Sequence, residues 1–70
     1  MELKRKLEIT EDEIVETRKN LRGVIRKLNN LKHHKEIDFI SKEELIRLEE
    51  LDDLLMELEH KINERIVFDI

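Results

Sequence analysis

Apolar residues fall in two periodic runs separated by a short unpatterned stretch. In the first, Ile14, Leu21, Val24, Ile25, Leu28 and Leu31, with Thr17 filling one further step, recur at the three-and-four spacing of one helical stripe. In the second, Leu45, Leu48, Leu51, Leu54, Leu55, Leu58, Ile62 and Ile66 do the same. Each run is preceded by a helix-start signature, Ile9-Thr10-Glu11-Asp12-Glu13-Ile14 and Ile40-Ser41-Lys42-Glu43-Glu44-Leu45. In both, a hydroxyl residue is placed to cap the backbone, a glutamate three positions on is placed to bond back, and an apolar pair flanks the turn. The pattern predicts helices over about residues 11–33 and about 42–66, with a link over about 34–40. A link that short joins antiparallel neighbours, so the fold class is all-α: an antiparallel two-helix hairpin forming one domain over residues 1–70.

The ends carry a different period. Met1, Leu3, Leu7 and Ile9 are apolar among the charged Glu2, Lys4, Lys6 and Glu8, and Ile66-Val67-Phe68-Asp69-Ile70 is β-branched and aromatic. Both segments read as strands that could pair as a small two-stranded ladder, with a helical extension of residues 2–8 as the rival.

The two helices present unequal apolar arcs. At about 100° per residue, the apolar side chains of the first, apart from Val15, span about 120°, and those of the second span about 200° from Leu54 round to Met56. A hairpin covers one stripe per helix, so the second helix has apolar surface to spare. The expected cover is a second copy of the chain, giving a homodimeric four-helix bundle with the second helix central, or else a different protein laid in the same groove. Leu45, Leu54 and Met56 are the expected second interface, and Leu48, Leu51, Leu55, Leu58 and Ile62 the common core. Ile46, with Ile37 and Phe39 of the link, forms a candidate apolar tip for a protein partner.

Charge supports the antiparallel pairing. Arg18, Lys19, Arg22, Arg26, Lys27 and Lys32 follow the acidic first turn of the first helix, and Glu49, Glu50, Asp52, Asp53, Glu57 and Glu59 line the second. Folding about residue 38 sets residue n against about 76 − n, so Lys27 and Arg26 should lie opposite Glu49 and Glu50. The net charge of −4 and aromatic content of 3% argue against nucleic acid as a partner. No apolar run approaches the ~20 residues of a membrane span, and no apolar segment follows the charged start as in a signal peptide. With no cysteine either, a cytoplasmic protein without membrane contact is expected.

Catalytic chemistry has little to build on. Glu57-x-x-His60 has the spacing used by di-iron bundles, but both residues fall on the outer side of a turn whose inner side is Leu55, Leu58 and Ile62. Adjacent His33 and His34 point about 100° apart, which suits a helix C-terminus better than a shared metal. Gly23 flanks the stripe as a tolerated surface glycine, and Ser41, the one serine, is engaged as a cap. No catalytic residue, cofactor or metal site is expected.

Two resemblances bear on function. Glu13-x-x-Glu16 and Glu49-x-x-Asp52 resemble the paired acidic motifs of all-α nucleotide pyrophosphohydrolases, which hold Mg²⁺ between facing helices. Here Glu49 faces about residue 27, some ~16 Å along the helix from Glu16, too far to share an ion within one chain. Ile14, Arg18 and Leu21 resemble the Ile-x-x-x-Arg-x-x-Leu stretch of the small bacterial aspartyl-phosphate phosphatases of sporulation, which are also helical hairpins. Leu48-Glu49-Glu50-Leu51-Asp52 keeps the Leu-Asp of their Ser-Gln-x-Leu-Asp signature, with leucine for the serine and glutamate for the glutamine, and the link is about ten residues longer. That likeness implies Asp52 acting on a response-regulator receiver domain. The leading expectation is instead a non-enzymatic interaction module that self-associates through the second helix and regulates or bridges a protein partner.

Overall fold

The computed structural model describes residues 2–69. Helix α1 runs Glu2–His33, 32 residues, and helix α2 runs Lys42–Glu64, 23 residues. The last turn, Arg65–Asp69, widens to π-helical geometry. The two helices lie antiparallel in a rod of 51 × 16 × 13 Å. That length is close to the ~48 Å that 32 helical residues span, so α1 sets the long dimension.

α1 begins nine residues before its expected start, and the Thr10 cap does not form. Thr10 lies inside the helix and its Oγ1 donates to the Lys6 carbonyl at 2.8 Å, as Thr17 does to Glu13 at 2.7 Å. The hydroxyl is satisfied four residues back, so nothing requires the backbone to leave the helix there. Leu3, Leu7, Thr10 and Ile14 also follow a four-three-four spacing, and no glycine or proline interrupts them. The alternation over residues 2–9 thus belongs to the helix. The expected ladder has no counterpart among the described residues, which include no strand; its outermost members, Met1 and Ile70, lie outside them.

At Ser41 the same signature forms in full. Ser41 is extended (φ −85°, ψ 161°), its Oγ accepts from the Glu44 N–H at 3.1 Å, and its own N–H donates to Glu44 Oε1 at 2.9 Å. α1 ends in a reciprocal pair of bonds, Glu36 N–H to the Leu31 carbonyl at 2.9 Å and Lys35 N–H to the Lys32 carbonyl at 3.1 Å. Lys35 takes the left-handed position at φ 60°, where glycine is the usual occupant. Lys32 Nζ then reaches the Ile40 carbonyl at 2.8 Å and ties the link to the helix it leaves.

The helices meet along a heptad seam. Along the seam the shielded positions of α1 are Leu7, Glu11, Ile14, Arg18, Leu21, Ile25, Leu28 and Lys32, with Gly23 and Leu31 half-buried outside it, and those of α2 are Leu45, Leu48, Asp52, Leu55, Glu59 and Ile62. The steps alternate between three and four throughout, the pattern of a coiled coil. Among the described residues the buried apolar side chains are Ile25 at 9% exposure and Leu45 at 4%. Two expectations change here. Leu45, expected in a second interface, is the most buried residue of the hairpin; Leu51 and Leu58, expected in the core, are 44% and 39% exposed. The cause is that Asp52 and Glu59 hold seam positions, which turns Leu51 and Leu58 away from α1. The charge-derived register shifts as well. The pairs 18–52, 22–52 and 18–59 set residue n of α1 level with about residue 74 − n of α2, under one turn from the expected alignment.

Candidate functional site

The hairpin has two unlike broad faces, and each follows from what flanks the seam. On one side lie the arginines and acids. Arg18 Nε donates to Asp52 Oδ1 at 3.1 Å, Arg18 Nη1 to Glu59 Oε2 at 2.9 Å, and Arg22 Nε to Asp52 Oδ2 at 3.3 Å. The Arg18 and Asp52 side chains are well shielded, whereas Arg22 is exposed. Partial burial pushes the Asp52 carboxyl up, but hydrogen bonds from Arg18 and Arg22 outweigh it and hold the group below the usual aspartate value. The Arg18 guanidinium is held above its ordinary value by its bond to Glu59 and then by that to Asp52. Shielding Arg18 and Asp52 costs hydration that offsets much of their attraction, so this layer sets which residues face one another more than it stabilises.

Sequence reasoning placed Arg18, Asp52 and Glu59 on charged stripes and missed that they lie in the seam. The signal was available: Arg18 is four residues after Ile14 and three before Leu21, and Asp52 and Glu59 continue the Leu45, Leu48, Leu55 series. The pairing of Arg26 and Lys27 with Glu49 and Glu50 gives way to these three bonds. Arg26 and Glu49 instead line a shallow groove with Arg22, Asp52 and Asp53.

The opposite side is apolar. Leu51, Leu54 and Leu58 form a three-four ridge along α2, with Leu54 49% exposed. Val24, exposed, and half-buried Leu31 lie one heptad apart on the flank of α1 that borders the same side. Towards the tip, Leu28, Ile40 and Leu48 floor a groove edged by Glu44 and Arg47. The residues expected to act together are not on one surface. Leu45 is inside; Leu54 is on the apolar face; Met56, two residues on and about 160° round, lines a groove on the ionic face with Arg18, Glu59 and His60. At the tip, Phe39 and Ile46 are exposed and Ile37 is half-buried.

Candidates for chemistry are dispersed. His60 Nε2 meets Glu64 Oε1 at 2.9 Å along an exposed helical turn. His33 and His34 stack edge to face, with centroids 5.3 Å apart. Gly23 has open space where a Cβ would stand. Among the described residues no three metal-ligating side chains converge, and no helix is long and apolar enough to cross a membrane. No protein-family model, curated protein or solved structure matches the chain.

Proposed function

We propose that this chain is a non-enzymatic helical-hairpin interaction module that self-associates through the apolar ridge of α2 and, so assembled, regulates or bridges another protein in the cytoplasm. One observation carries the proposal: the hairpin exposes far more surface than a chain of its mass should. Its accessible surface is 5932 Å², whereas a compact monomer of 8.6 kDa exposes about 4,700 Å². The surplus, about 1,200 Å², exceeds the roughly 800 Å² that one partner buries in a standard interface. Among the described residues two buried apolar side chains, Ile25 and Leu45, are also a thin core. Asp52 supports this reading over a phosphatase-like one, since its carboxylate is shielded and accepts from two arginines rather than standing open to a receiver domain.

The test is solution mass across a dilution series, by light scattering or sedimentation. The native chain should run as a dimer that dissociates on dilution, and Leu54→Glu should run as a helical monomer at concentrations where the native chain is paired. A native chain that is monomeric throughout would end the proposal.

A further inference from the structure

We infer that the turn of α1 around Gly23 docks an acidic segment of a different protein, whose backbone passes over the glycine while its carboxylates meet Lys19, Arg22, Arg26 and Lys27. The inference rests on the partner half of the function proposed above and is independent of self-association. Gly23 lies about 100° round the helix from Val24, on the side away from the apolar ridge of α2.

The four cations flank Gly23 at four and one residues before it and at three and four after. All fall within about 100° of it round the helix and about 6 Å along it. They belong to residues 17–33, a stretch of α1 that holds no acid. The nearest acid of α1 is Glu16, about 10 Å away along the axis. From α2, Glu49, Asp52 and Asp53 edge a groove with Arg22 and Arg26, and Glu59 reaches the ring from the seam. Asp52 and Glu59 already accept from Arg18. Arg22 has its one bond to Asp52 and stays 62% exposed. Among the described residues Lys19, Arg26 and Lys27 form no ion pair. The positive charge therefore faces outward. With a screening length of about 8 Å at physiological salt, the distant acids behind the net charge of −4 do little to cancel it.

Shape points the same way. Gly23 is half-buried between these long side chains, yet a Cβ placed on it would meet no atom within 4 Å. Alanine would fit the hairpin and favour the helix, so nothing inside the chain calls for glycine here. What a missing side chain admits is the close approach of another backbone. Val15, Lys19, Arg22, Gly23 and Arg26 line an open groove of about 490 Å³ with Arg18 and Glu59 on its inner side. A notch ringed by cations suits a main chain that carries carboxylates. Nucleic acid fits less well, because Phe39 and Phe68, the two aromatic side chains that could stack on bases, do not line the groove.

Binding of a fluorescent poly-Glu peptide would be followed by anisotropy at rising salt, with a single-stranded oligonucleotide of matching charge as the rival. The native chain should bind the peptide, and less tightly as salt rises. Lys19→Glu combined with Lys27→Glu should weaken binding by about tenfold or more. Lys61→Glu, at an exposed cation of α2 outside the ring, should leave it unchanged. Gly23→Leu alters no charge and should weaken binding by about threefold or more, while circular dichroism shows the helices kept. Native affinity in Gly23→Leu would mean that charge alone acts, and would overturn the inference. So would tighter binding of the oligonucleotide than of the peptide. Sedimentation of the same samples keeps this reading apart from self-association. A doubly reversed chain that loses its dimer would place a second copy on the ring and overturn the inference. A native chain that binds the peptide as a monomer would end self-association and leave the inference standing.

Discussion

Thr10 and Ser41 sit in nearly the same local sequence and do opposite things. Both are hydroxyl residues preceded by isoleucine, followed three positions on by glutamate, and then by an apolar residue. Ser41 closes a reciprocal cap and starts α2; Thr10 bonds backwards to Lys6 inside α1. What differs is the chain upstream. Residues 2–9 keep apolar side chains on the stripe that α1 already presents, so extending the helix costs nothing at Thr10. Residues 34–40 leave α1 through the left-handed Lys35 and are not helical on reaching Ser41. A capping motif therefore marks where a helix is able to start, and its upstream neighbours decide whether it does.

Three experiments sharpen that contrast. The largest effect should come from the apolar residue four positions after each hydroxyl. Leu45→Ala removes the most buried side chain and should cost about 2–4 kcal/mol in urea unfolding, whereas the half-buried Ile14→Ala should cost about half that. Equal losses would mean that the two turns are anchored alike. Next come the hydroxyls themselves. Ser41→Ala should lower stability by about 1 kcal/mol. Thr10→Ala, which swaps a helix-interior threonine for a better helix former, should change it by no more than about 0.5 kcal/mol, in alanine's favour. A clear loss at Thr10 would restore it as a cap.

The smallest effect is in acid. The Glu44 carboxyl is held below its ordinary 4.5, first by the Ser41 N–H and then by its hydroxyl, and Asp52 is held below 3.8. A carboxyl whose value is lower in the folded chain stabilises above its unfolded value and loses that contribution as pH falls through the folded one. Melting temperature should be level from about pH 6 to 9 and fall below about pH 4. In Glu44→Gln, which removes the titrating group, the acid limb should be shallower, leaving only the Asp52 part. An unchanged limb would show that Glu44 takes no part in it.

The hairpin, its link and the start of α2 were legible because each rests on neighbours a few residues apart. The start of α1 was not, since the rule that applies at Thr10 depends on whether the preceding turn is already helical. Leu45, Leu51 and Leu58 were misplaced for a related reason. Counting leucines gives the width of an arc but not which edge faces the partner helix, and that was settled by Asp52 and Glu59 being drawn to Arg18. The apolar face was legible as surplus from the unequal arcs. Its composition was not, because Leu54 and Met56 close the arc at opposite edges of α2.

The ion pairs of the seam also bear on how the hairpin comes together in time. The Lys32–Ile40 contact spans 8 residues of chain, Arg18–Asp52 spans 34 and Arg18–Glu59 spans 41. Loop-closure entropy grows with that separation, so the chain zips from the link outward and the arginine meets its acids late. By then one heptad looks much like the next to a row of leucines. A helix that has zipped one heptad out of step leaves Arg18 beside one of its two acids instead of both. The full set of bonds is thus made only by chains that began in step.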